Sequence, residues 1–451
     1  MLDNLKKFYS APLILLIGTI VWCRAVPRPA EVVLVPESEV HLYCPGYDND
    51  PPKFVDALME GAVLPDKLTP CLPLDVNKSL KANIVDGKLD QAVRQLDAFG
   101  WQMFIALSWP VEQDGGHLRF ATSLAGPGAP RWYGWATTDD VFKVNGGVPE
   151  ERHILSDRQA DRHQLWDQRG QLVGFETQMN QVARAAIRDS NLYTAEGQSA
   201  VLSRLLFPWG LANAGEKRLG STVIKLAWKA LGARDHRERF FRRAAEMPGS
   251  PEQREFGLVG MHIGYKLSFI DSKWVWITLE HIDSVDDMGE PACPSPAPPP
   301  LAEPLFHDKQ CKQEDCPKND PESKNPRLGQ SHKATQVVRE VPVRPETVDF
   351  NCKVRALLHT QAPGSPAQYY KLVAVQSAVR RGDEWHYVPS YSQNTLLETY
   401  QQNSEREDGR GCVQCHLGAP LKAKDESGAF FDDEGQGDFM YMLTRRLQTQ
   451  Q

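Results

Sequence analysis

Phe256-Gly-Leu-Val-Gly-Met-His-Ile-Gly-Tyr-Lys-Leu267 and Trp274-Val-Trp-Ile-Thr-Leu-Glu-His-Ile282 decide the architecture. Both runs are rich in aliphatic, β-branched and aromatic residues, and the polar stretch Ser268–Lys273 separates them. They read as two strands. Thr222-Val-Ile-Lys-Leu-Ala-Trp228 reads as a third on the same grounds. Upstream, Gln164–Trp166 and Leu172–Gln178 read as strands joined by the turn-rich Asp167-Gln-Arg-Gly170, with a helix following from about Asn180. Ala92, Val93, Leu96, Phe99, Met103, Phe104 and Leu107 recur at three- and four-residue spacing and predict a helix over Asp90–Leu107, stopped by Pro110. A shorter helix is expected around Pro52–Gly61. Trp101, Trp109, Trp132, Tyr133 and Trp135 are expected in the core. Strands and helices mix without βαβ alternation, so the expected class is α+β rather than a doubly wound sheet.

The chain has 451 residues, 41% of them hydrophobic and 24% charged, enough for a sizeable core and incompatible with a wholly disordered or multi-span membrane protein. The net charge of −7 and the absence of a basic stripe give no reason to expect a nucleic-acid partner. Lys6 and Lys7 precede an uncharged run from Phe8 to Cys23, the pattern of an export signal. Residues 1–25 are therefore expected to be a signal peptide, cleaved after Ala25, or an uncleaved anchor through which alone the chain would contact a membrane. Seven prolines in Pro291–Pro304 mark a boundary. The expected division is an α+β domain over 26–287, a Pro-rich, Cys-containing linker over 288–350, and an attachment region over 351–451. The last region is expected to be mainly helical, with a helix beginning near Asn394 and carrying Leu396, Leu397 and Tyr400 on one face. It is expected to pack against the larger N-terminal unit.

Outside the cytoplasm thiols tend to pair. Cys44 and Cys71 form a natural local pair around a Pro/Asp-rich loop, and Cys293, Cys311, Cys316 and Cys352 could pair in more than one way. Cys412-Val-Gln-Cys415-His416 is different. It is a C-x-x-C-H sequence, the attachment signature of c-type haem. Two thiols three positions apart reach two vinyl groups on one porphyrin edge, and the adjacent histidine turns its imidazole to the iron. With this Cys and His content the motif is expected by chance roughly 0.005 times in such a chain. The expected cofactor is one covalent haem c, with Cys412 and Cys415 as attachment points and His416 as proximal ligand. A thioredoxin-like pair or a zinc site fits less well, because little chain follows the motif and no second Cys/His cluster partners it. His262 and His281 on the predicted strands, and Met440 and Met442, are candidates for the second axial position.

The chain resembles a family of bacterial exported cytochrome c-like proteins with one haem motif near the C-terminus. The resemblance runs from about Gly100 onward. It rests on the order of Phe99–Pro110, Val223–Lys229, Gly257–Ile263, Trp274–Asp283, Asn394–Tyr400, Cys412–His416 and Asp438-Phe439. It implies histidines at the positions of His262 and His281 and no methionine at those of Met440 and Met442, which favours His262 or His281 as distal ligand. A further family histidine is replaced here by Tyr265, and the family has a Cys pair spaced like Cys311 and Cys316. The function expected is that of an exported, periplasmic monohaem cytochrome passing single electrons to a redox partner protein. The alternative is a haem-dependent oxidoreductase, peroxidase- or oxygenase-like, with an open distal site for a small-molecule substrate.

Overall fold

The computed structural model describes residues 34–61, 64–142, 153–267, 274–286, 289–329, 332–381, 384–402 and 411–445. The expected signal segment lies outside them. The fold is mixed, 27% helix and 26% strand, and its sheets are mainly antiparallel. One large sheet organises it. Its strands are β1 (Ala136–Thr137), β2 (Val173–Met179), β3 (Thr222–Ala230), β4 (Arg242–Met247), β5 (Ser250–Lys266), β6 (Trp274–His281), β7 (Tyr370–Arg381) and β8 (Glu384–Val388). Their order is β8-β7-β6-β5-β3-β2-β1, with β4 pairing the first half of β5. Every pairing is antiparallel. The Phe256–Leu267 and Trp274–Ile282 runs thus form the adjacent strands β5 and β6 at the centre of this sheet.

Every residue of β6 is buried, and so is β5 from Phe256 onward. An antiparallel sheet with one wet face would alternate polar and apolar residues; a continuous apolar run requires cover on both faces. The first face carries Ile224, Leu226, Met261, Ile263, Val275, Ile277, Leu279 and Leu372, all in one core cluster. Helices α1 (Pro51–Gly61), α2 (Lys78–Val85), α3 (Leu89–Ser108) and α5 (Pro345–Gln361) supply the rest of that core; a helix between them in sequence, α4 (Gln181–Asp189), is capped by Asn180 accepting from the Ala183 N–H. Asn351 of α5 ties three elements together. Its Oδ1 accepts from Trp101 Nε1 of α3 at 2.8 Å and from the Leu372 N–H at 3.0 Å, and its amide donates to the Leu372 carbonyl at 2.8 Å. Leu372 adjoins a bulge in the β6–β7 ladder, where a side chain can take backbone groups that the ladder leaves.

The second face is covered partly by irregular chain and partly by short helices: Ala183 and Ile187 of α4 pack with Val223, Trp274 and Trp276. Leu305, Phe306 and Val337 from the Pro-rich stretch pack with Val173, Ala227, Val259, Leu396 and Leu397. Arg339 pairs with Glu280 of β6, which also accepts from the Thr395 N–H at 2.6 Å. Three disulfides tie the chain together: Cys44–Cys71, the expected pair, and Cys293–Cys352 and Cys311–Cys316, which the sequence left open.

Two expectations are corrected. No helix begins at Asn394. Its Oδ1 accepts from the Leu396 N–H and its carbonyl from the Glu398 N–H, a turn that drives Leu396 and Leu397 into the sheet. A mainly helical C-terminal region is not confirmed either. Among the described residues after α5 there are β7 and β8, a hairpin of Leu421–Lys424 with Phe430–Asp433, and two short helices, Cys412–Leu417 and Met442–Arg445. The Leu-Val-Ala-Val run at 372–375 favours strand, and the Gly- and Asp-rich 425–438 favours turns.

Gly100 lets α3 lie close on the sheet. A Cβ there would come within 2.4 Å of Val375 Cγ2 and 3.2 Å of Ile277 Cγ2. Helix propensity alone would make Gly100→Ala stabilising by about 1 kcal/mol. Overpacking against two stiff β-branched residues costs about 1–3 kcal/mol. The packing cost is the larger, so Gly100→Ala is expected to lower the thermal unfolding midpoint followed by circular dichroism; a raised midpoint would show that the contact yields.

Candidate cofactor-attachment site

Residues Cys412–Leu417 form a single helical stretch, α6. At helical spacing Cys412, Cys415 and His416 fall on one side of it. A helix this short does not hold itself in water. The second face of the sheet holds it. Gln376 of β7 accepts the Val413 N–H on Oε1 at 2.8 Å and donates to the Pro389 carbonyl at 2.9 Å. Gln414 reaches back to accept the Gly411 N–H at 3.1 Å. A Cβ at Gly411 would displace the Gln376 amide from this position. Val413 packs into an apolar cluster with Trp274, Trp276, Leu421, Phe439, Met440 and Leu443.

His416 is the best-defined member of the motif. Its Nδ1 lies 2.7 Å from the Phe439 carbonyl. A carbonyl only accepts, so Nδ1 carries the proton and the lone pair is on Nε2. The ring packs at a tilt of 37° against Trp276, 4.1 Å between centroids, and meets Tyr441 edge-on at 5.7 Å. Burial pushes the pKa down to about 4, with the Phe439 carbonyl opposing, so the imidazole is neutral at pH 7. A neutral imidazole with its proton fixed on one nitrogen by a backbone acceptor is the form that binds a metal through the other.

Six of the cysteines are in disulfides, while Cys412 and Cys415 keep their thiols. Cys412 Sγ lies 3.6 Å from the Ser392 carbonyl, 3.9 Å from Ser392 Oγ and 4.0 Å from Thr278 Oγ1. Burial, reinforced by the Glu398 charge, pushes this thiol up to about 12. That is the opposite of an activated redox cysteine, whose pKa is lowered. The thioredoxin-like reading therefore loses its chemistry as well as its fold.

Thr278 connects the motif to a polar chain across the sheet. Its hydroxyl lies 3.0 Å from His262 Nδ1, and His262 Nε2 lies 2.7 Å from Glu398 Oε2. Glu398 also accepts from Lys225 Nζ at 3.1 Å and from the Asn394 N–H at 3.1 Å. Burial alone would raise Glu398, yet His262 and Lys225 hold it well below the carboxylate range. Both nitrogens of His262 are thus engaged, at the Cys412 end of the site. The sequence offered no sign of Glu398, Thr278, Ser392 or Gln376 as parts of the site. Only fold contacts bring them together.

The other candidates fare differently. His281 follows Glu280 on β6 and therefore points to the opposite face of the sheet from Thr278. There it stacks on Phe240 at 4.2 Å, its Nε2 donates to the Arg239 carbonyl at 3.0 Å, and its Nδ1 accepts from the Asp283 N–H at 3.2 Å. It is a satisfied core residue that the fold does not bring to the motif. Tyr265 is also buried in that core, donating to the Leu74 carbonyl and accepting from the Gly220 N–H. Met440 is buried in the apolar cluster beneath α6, with Met442 half-buried against it.

The residues present fit a covalent haem. One helix side carries two thiols and a neutral imidazole with its Nε2 lone pair. The buried indole N–H groups of Trp276, against His416, and of its neighbour Trp274 find no hydrogen-bond acceptor among the described residues. Orphaned buried donors of this kind ask for a partner, which an anionic group bound against them would supply. Comparison with known proteins returns no match to a family model, a curated protein or a solved structure.

His281 gives a pH-dependent stability. Burial pushes its pKa down to about 4, against a free value near 6.5. Between these values the unfolded chain binds a proton that the folded chain does not, so stability falls as pH falls through this window and is flat above it. The urea midpoint is expected to drop between pH 6.5 and 4.5. His281→Gln should be less stable at pH 7 but show a shallower drop; an unchanged slope would assign the effect to other groups.

Proposed function

We propose that the protein is an exported c-type cytochrome-like protein of the bacterial kind it resembles, carrying one haem attached through Cys412 and Cys415. The observation that carries this reading is His416. It is a neutral imidazole, fixed by the Phe439 carbonyl in the Nδ1–H tautomer, on the same helix side as two thiols outside the disulfide set. When bound, the haem supplies a one-electron iron couple. The chain's own residues do the rest. Cys412 and Cys415 would hold the porphyrin edge, and His416 would offer its Nε2 lone pair to the iron. Trp276 fixes the ring plane of His416 from one side. Three disulfides support an oxidising, exported setting, here the periplasm. The partner is a redox protein that docks near α6 and exchanges single electrons.

One observation favours the second reading, a haem oxidoreductase acting on a small molecule. His262 is hydrogen-bonded at both nitrogens, in a chain that runs from Lys225 through Glu398 to Thr278. A histidine held this way moves protons more readily than it binds iron, and it would leave the distal position open to a substrate.

Cys412→Ser with Cys415→Ser should abolish haem that survives denaturing electrophoresis, whereas persistence of that haem would end the assignment. His416→Ala should keep some thioether-linked haem but convert its low-spin spectrum. Reduced protein with and without carbon monoxide separates the two functions. A spectrum that the gas leaves unchanged means both axial positions are filled and supports electron transfer. A shift means an accessible iron and supports the oxidoreductase.

A further inference from the structure

Lys266 ends β5 with its side chain fully buried. A buried ammonium is costly unless paired, and an apolar residue would serve stability at least as well. Its partner is Asp438, 172 residues away in sequence, at 2.5 Å and 2.8 Å from Nζ to the two carboxylate oxygens. Asp438 Oδ2 also accepts the Phe207 N–H at 2.9 Å. The backbone at this point is unusual. Asp438 has φ +44° and Phe439 φ +70°, two consecutive non-glycine residues in the left-handed region. For a bulky residue such as Phe that conformation is uncommon and strained, and it persists only where the surroundings impose it. The surroundings here are the Lys266 ion pair, the Phe207 amide and the buried Phe439 ring. The product of the distortion is the Phe439 carbonyl, aimed at His416 Nδ1 at 2.7 Å.

We infer that Lys266 and Asp438 are positioning residues for His416. The ion pair holds the Asp438–Phe439 turn in its left-handed form, and the turn holds the imidazole in the Nδ1–H tautomer with Nε2 presented for ligation. The inference rests on the haem reading for its purpose but not for its geometry. It explains why the sheet keeps a charged residue in its interior: the charge reaches the proximal ligand through one carboxylate and one carbonyl. Hydrogen bonding of a metal-bound histidine's second nitrogen fixes its orientation and raises its basicity, and losing such a partner typically costs about 10–100-fold in metal affinity or activity.

The test measures the His416 tautomer in the full chain before haem attachment, by nitrogen-15 NMR of the imidazole. The expected wild-type result is the Nδ1–H form. Asp438→Asn keeps the side chain's size and tolerance of positive φ but removes the ion pair, and Lys266→Met with Asp438→Asn removes both charges together. Both variants are expected to keep the wild-type circular dichroism while His416 spreads over the two tautomers. In haem-loaded Asp438→Asn the reduction potential should move upward, as a less basic ligand stabilises ferric iron less. An Nε2–H form in the wild type would overturn the inference outright. So would an unchanged tautomer in a folded Asp438→Asn chain. Absence of covalent haem from a wild type with the Nδ1–H form would instead count against the haem reading and leave the positioning role standing.

Discussion

A central antiparallel sheet buried on both faces sets the terms for the whole molecule. Water scarcely reaches the polar side chains that point out of β6, of β5 from Phe256 onward and of the adjoining part of β3, so each takes a partner from the chain that covers it. Glu280 finds Arg339, Lys225 finds Glu398, Thr278 finds His262 and Ser392, Lys266 finds Asp438, and Lys229 finds Asp167 and Asp235. Most of these partners come from loops, and they are what fixes irregular chain on the second face. The covering there is specified by charge and hydrogen bonding where the first face is specified by packing of helices. Buried pairs of this kind add little net stability over apolar substitutes. What they contribute is a single register for segments that have no secondary structure to define one.

The motif site is built from that constraint. Helix α6 borrows its position from Gln376 and its floor from Trp276, two residues paired across β7 and β6. His416 takes its proton position from a carbonyl, and Cys412 sits over hydroxyls that the sheet and the 389–402 segment supply. The electrostatics are consistent across the site. Both His416 and the Cys412 thiol are pushed to their neutral forms by burial, while charge is held in paired groups around them, Lys225 with Glu398 and Lys266 with Asp438.

The parts of this arrangement that were legible in the sequence are those with local signatures. Periodicity marked α3, β-branched and aromatic content marked β3, β5 and β6, and spacing marked the Cys-x-x-Cys-His motif. Gly170 with φ +69° closes the turn that its sequence context announces. The misses have equally physical causes. Helix α5 has a weak apolar periodicity because polar Thr347, Asn351 and Arg355 share its buried side with Val348, Val354 and Leu358. Strand β7 lies beyond a proline-rich stretch that reads as a boundary, although its composition is strand-like. The turn at Asn394 has the N-cap residue of a helix, but its two leucines are claimed by the sheet. His281 and His262 are both histidines on buried strands, and only the alternation of faces, counted from the ladder, separates a core residue from a site residue.

Strands β6 and β7 are adjacent in the sheet, yet the whole Pro-rich stretch and α5 lie between them in the chain. Cys293 and Cys352 join two points of that connection close to its ends. Once this bridge forms, the shortest covalent route from β6 to β7 contracts to about a third of its length, which lowers the entropic cost of closing the loop by about 1 kcal/mol. The bridge therefore converts a distant strand pairing into a nearly local one. β7 is also the strand that receives α6. The order in which the chain matures then has a direction: oxidation of one cysteine pair brings in the strand on which the segment bearing the other pair can settle.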